Sequence, residues 1–175
     1  LAQQPDRTGG DHPWLYRRER PRYGRVTHGV TPMDRSSTSP DEFLAGLPDE
    51  VRPDMVAVDA VLAAAFDGDE RVLWEGPFWG GTQQRIIGYG TYHYRGRSGA
   101  EGEWFVVGLA AQQRYFSLYV NASEDGTYLA QRYADRLGKV KAARANVQFK
   151  RASDLDLDAV REMAARAREL MAVAE

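Results

Sequence analysis

The chain has 175 residues, 43% of them hydrophobic and 27% charged, with a net charge of −2. That length supports one domain with a real core, since about 150 residues already bury roughly 70% of their unfolded surface. The absence of cysteine excludes disulfides, thiolate metal sites and thiol catalysis and fits a cytoplasmic setting, while the longest apolar run, 104–111, falls far short of the ~20 residues a spanning helix needs.

Residues 1–38 carry Pro5, Pro13, Pro21 and Pro32, a basic run (Arg17, Arg18, Arg20, Arg22, Arg25) and little periodic hydrophobicity. This composition predicts a disordered or non-native N-terminal arm, with the folded domain spanning 39–175. The domain opens with Ser39-Pro40-Asp41-Glu42, a capping box with proline at the first helical position, and Gly46 and Pro48 end that helix. A longer helix over about 53–66 follows, with Val51, Met55, Val58, Leu62 and Phe66 on one face and Pro53 in its first turn.

After Gly68 the period changes from helical to alternating. Strands are predicted at 72–74, 84–94, 103–110 and 114–121, joined by hairpin links at Gly80-Gly81, 96–102 and Gln112-Gln113. Gly88 and Gly90 fall on one strand face with Ile86 and Tyr92, where missing side chains suit close helix packing. Then come a short helix at 128–137, a fifth strand at 147–151 and a last helix at 157–172. Asp156 is the N-cap of that helix, and Val160, Met163, Ala164, Ala167 and Leu170 form its apolar stripe.

Charge is unevenly spread. The segment 41–75 holds ten acids against Arg52 and Arg71, a net of −8. The segment 132–151 holds seven bases against Asp135, a net of +6. Mutual pairing or solvation is the first reading of such segments; a binding surface is the second. Catalytic motifs are missing. The three histidines lack metal-ligand spacing, no serine stands in a nucleophile-elbow pattern, and the glycines make no phosphate loop. The rings of Trp74, Phe78, Trp79, Trp104 and Phe105 read first as core and second as the wall of a small pocket.

Several local motifs resemble the YdhG-like family of small bacterial proteins. They are Phe43-Leu44-Ala45-Gly46-Leu47-Pro48-Asp49-Glu50-Val51-Arg52, Trp74 followed by Pro77 and Trp79, Gly138-Lys139, Phe149-Lys150, and Asp154-Leu155-Asp156-Leu157-Asp158. The chain departs from the family pattern at Glu75, at Ala143-Arg144 in place of a second Gly-Lys, and at Gln112 and Gln113 in place of Lys and His. The resemblance implies an α+β, frataxin-like fold: one antiparallel sheet of about five strands with N- and C-terminal helices packed on one face. Most of that family has no assigned function, but one branch is described as an iron chaperone.

Two functions follow as expectations, both non-enzymatic. One is iron binding and delivery to an iron-acceptor protein through carboxylates at Asp49, Glu50, Asp54, Asp67, Asp69 and Glu70, since oxygen ligands suit hard cations. The other is binding of an anionic ligand or nucleic acid through the basic 132–151 region, with Trp79, Lys139 and Arg144 as the candidate residues. The net acidity of the chain argues against nucleic acid, and no membrane partner is expected.

Overall fold

The computed structural model describes residues 33–78, 82–95, 99 and 101–172. Strand β1 (Asp34–Arg35) precedes helix α1 (Pro40–Ala45) and helix α2 (Arg52–Ala65). At α1 the capping box forms as the sequence requires: Glu42 N–H donates to Ser39 Oγ at 3.2 Å, and Ser39 N–H donates to Glu42 Oε2 at 2.9 Å. In α2, Pro53 sits in the first turn, where its missing N–H costs nothing.

Four long strands follow: β2 (Arg71–Phe78), β3 (Thr82–Arg95), β4 (Glu101–Ala111) and β5 (Phe116–Val120). A separate ribbon pairs β6 (Ser123–Glu124) with β7 (Thr127–Tyr128), leading into α3 (Leu129–Arg132) and a 3-10 turn at Ala134–Arg136. Strands β8 (Lys141–Ala142) and β9 (Asn146–Phe149), a 3-10 turn at Ala152–Asp154 and helix α4 (Leu157–Ala172) follow. Asp156 caps α4 by accepting from the N–H groups of Asp158 and Ala159 at 3.1 and 3.0 Å.

The expected single frataxin-like sheet of about five strands, with helices packed on one face, is not what forms. The described residues are mostly sheet: seven antiparallel strands in the order β1-β2-β3-β4-β5-β9-β8, plus the two-stranded ribbon, with four short helices. The additional strands have two residues each. No periodicity marks a segment that short, because backbone pairing with a longer neighbour, rather than apolar alternation, holds it in place. For the same reason the arm expected over 1–38 ends too late: Met33 is 2% exposed and Asp34–Arg35 hydrogen-bonds to β2. Residues 1–32 lie outside the described part.

One core joins Met55, Val58 and Leu62 of α2 to Leu73, Ile87, Leu109 and Leu118 of the sheet and to Val160 and Met163 of α4. A second cluster, on Met33, Trp74, Ile86, Phe105 and Ala110, makes the sheet apolar on its other side too. There Trp104 lies 4.5 Å from Phe105 and stacks on Phe78 at 6.1 Å, so these rings pack on one another as core. Gly88 and Gly90 do not share a face. A Cβ on Gly88 would lie 2.7 Å from the Trp74 indole, whereas one on Gly90 would lie 2.8 Å from Phe66 at the end of α2. Gly90, with φ 64°, breaks the alternation, so Ile86 belongs to the second cluster and Tyr92 packs on the first.

Candidate anion-binding cleft

At one end of the sheet, four pieces of chain enclose a cleft of about 760 Å³. Thr82 and Gln83 come from the start of β3, and Ala111 to Tyr115 from the β4–β5 turn. Lys139, Val140 and Lys141 enter along β8, while Gln148, Phe149, Lys150 and Asp154 come from the end of β9 and the turn beyond it.

Local packing explains why these pieces converge. The β3–β4 register pairs Ile87 with Leu109, and continued to the strand ends it sets Gln84 beside Gln112. Their amides meet, with Gln112 Nε2 donating to Gln84 Oε1 at 2.7 Å. On the other wall Lys141 lies opposite Gln148. The Gly138-Lys139 turn is clamped to the segment before α4: Lys139 N–H donates to the Asp154 carbonyl at 2.7 Å, and Asp156 N–H donates to the Leu137 carbonyl at 2.9 Å. Only glycine fits at 138, with φ 96° and an added Cβ 2.2 Å from the Asp154 oxygen.

Four cations, Arg114, Lys139, Lys141 and Lys150, therefore line one concavity beside a single carboxylate, Asp154. Among the described residues none of the four has a carboxylate within ion-pair distance. Asp154 itself accepts from the Arg151 N–H at 3.1 Å. Like charges gathered in a cleft, with no carboxylate to balance them, produce a field that attracts anions.

The remaining sequence candidates sit elsewhere. Arg144 lies over the Tyr128 ring, 5.2 Å from its centroid, and is not part of the cleft. Arg132 and Arg136 face acids, the latter donating to Glu162 Oε1 at 2.9 Å. Trp79 falls outside the described residues.

The six carboxylates expected to hold iron are dispersed. Asp49 is paired with Arg52 at 2.9 Å, and Glu50 is exposed. Asp54 accepts from the Ala152 N–H at 2.7 Å, tying α2 to the turn before α4. Asp69 is paired with Arg168 at 2.7 Å, and the same guanidinium reaches the Asp67 backbone carbonyl at 2.8 Å. Glu70 accepts from Arg35 at 2.8 Å and from Thr91 at 3.0 Å, and these bonds, Arg35 first, hold its carboxyl below the usual range. Among the described residues no group of three or more histidine, aspartate or glutamate side chains is placed to hold a metal ion.

The most deeply placed acid of the segment has a structural partner set of its own. Asp59, on the buried face of α2, takes a bidentate pair from Arg71 at 2.9 Å for each bond and a hydrogen bond from the Tyr89 hydroxyl at 2.6 Å. Burial opposes the charge on Arg71, but its bonds to Asp59 and Asp41 outweigh that and raise its pKa above the ordinary value. Burial, then the Asp59 carboxylate, push the Tyr89 hydroxyl well above its usual pKa.

Charge and periodicity along the sequence do not single out Arg114, Tyr115, Gln83 or Gln148. A signal for the first two was available: Gln112-Gln113-Arg114 is a polar turn between two apolar strands, at the same sheet end as Gln83-Gln84. No protein-family model, curated protein or solved structure matches this chain.

Proposed function

We propose that the protein is a binding module for a small anionic ligand, held in the cleft by Lys139, Lys141, Lys150 and Arg114. The observation that carries this reading is the gathering of four cations around one concavity with no ion-pair partner among the described residues. Two of the motifs on which the YdhG-like resemblance rests, Gly138-Lys139 and Phe149-Lys150, fall on the walls of the cleft. The iron reading has no comparable support, since most of its carboxylates already serve arginines or backbone amides.

Calorimetric titration with inorganic pyrophosphate tests this. Binding should weaken as salt rises and fall about tenfold in the Lys139→Gln/Lys150→Gln variant, as expected when two charge contacts are lost. The Asp49→Asn/Glu50→Gln/Asp54→Asn variant should bind pyrophosphate as well as the parent does. Loss of affinity in the carboxylate variant instead, or ferrous iron binding that it abolishes, would return the function to the acidic segment.

A further inference from the structure

We infer, building on the anion-binding reading, that the occupant of the cleft is a mononucleotide carrying a di- or polyphosphate. The cleft holds more than charge. Three glutamines whose amides are not paired with each other, Gln83, Gln113 and Gln148, line it together with Thr82. Beside them lies an apolar strip formed by Ala111, Tyr115 and Val140.

Each part narrows the ligand class. A phosphomonoester carries about −1.5 to −2 charges at neutral pH, so four cations facing one carboxylate accommodate more than one phosphate. A glutamine amide both donates and accepts, which matches the donor and acceptor edge of a nucleobase. Gln112 and Gln84 use their amides on each other, at 2.7 and 3.4 Å, which leaves Gln83, Gln113 and Gln148 to meet a base. Tyr115 is half-buried and offers an aromatic surface on which a base can stack.

Other anions use only part of this wall. A fatty acid or lipid would lay hydrocarbon against the amides and offer them no partner. A sugar phosphate would satisfy the amides but leave the apolar strip uncovered. Inorganic polyphosphate would engage the cations alone. A nucleotide engages all three.

The test uses the full 1–175 chain, titrated in parallel with inorganic pyrophosphate, ribose 5-phosphate, the common nucleoside 5′-diphosphates and a short single-stranded RNA. At least one nucleoside diphosphate should bind about tenfold more tightly than pyrophosphate, near the lower end of what one base stack contributes. Gln148→Leu and Tyr115→Ala should each remove most of that advantage, lowering nucleotide affinity far more than pyrophosphate affinity, with thermal unfolding to show that the variants are folded. Nucleotides no tighter than pyrophosphate would overturn the nucleotide inference and leave the anion-binding reading standing. No binding of any phosphate would overturn both. RNA tighter than every mononucleotide would overturn the assignment to a free nucleotide.

Discussion

The acidic segment 41–75 and the basic segment 132–151 have comparable charge, and the fold treats them in opposite ways. In the first, Asp49, Asp59, Asp69, Glu70 and Glu75 each meet an arginine, and Asp59 is buried with Arg71 and Tyr89. In the second, Arg132, Arg136 and Arg144 are engaged by acids or by a ring, while Lys139, Lys141 and Lys150 are left together at a cleft. Charge density along a sequence is thus a poor guide to a site. What distinguishes a site is charge that the fold has gathered and not compensated.

The sharpest way to break this contrast is at Asp59. If the acidic segment is structural, Asp59→Ala leaves the buried Tyr89 hydroxyl without its acceptor and Arg71 with Asp41 alone, and should cost ~1–3 kcal/mol in urea unfolding. A cost below ~1 kcal/mol would leave the segment free for another role. The reverse experiment is Lys139→Gln/Lys150→Gln: stability should stay within ~0.5 kcal/mol of the parent while pyrophosphate affinity falls. A large loss of stability there would mean that the lysines hold the fold together.

A smaller effect is expected with pH. Glu70 is held below its ordinary value of 4.5 chiefly by Arg35, and Glu75 by the Ser36 hydroxyl and then Arg85. Depressed folded-state values mean that the unfolded chain binds more protons in that range, so stability rises with pH there. The melting temperature should be flat between roughly pH 5 and 7 and decline as pH falls below about 4.5, less steeply in Glu70→Gln. The smallest change belongs to Glu162→Gln at the exposed Arg136 pair, a barely measurable shift in melting temperature that weakens further in high salt.

Elements with strong periodicity or chemical punctuation could be read from the chain directly. The Ser39–Glu42 capping box, the Met55–Leu62 stripe, the four long strands and the Asp156 cap each rest on local interactions that the sequence spells out. The two-residue strands could not be found this way, because their neighbours place them. The β6–β7 ribbon was within reach: its turn, Asp125-Gly126, is a standard hairpin pair. Lys139 was found from its basic surroundings. Arg144, in the same segment, was not separable from it, because only the β8–β9 hairpin shows that the two point to different neighbours. Gln83, Tyr115 and Gln148 gained meaning only once sheet order brought distant residues to the same end.

The most direct test of the central claim is to map backbone amide chemical shifts while titrating the 1–175 chain with pyrophosphate. The account predicts that the perturbed amides cluster around the four cations, at 113–115, 138–142 and 149–151, with those of 41–75 unmoved. Shifts centred on Arg132, Arg136 and Arg144, or spread evenly over every exposed cation, would contradict it.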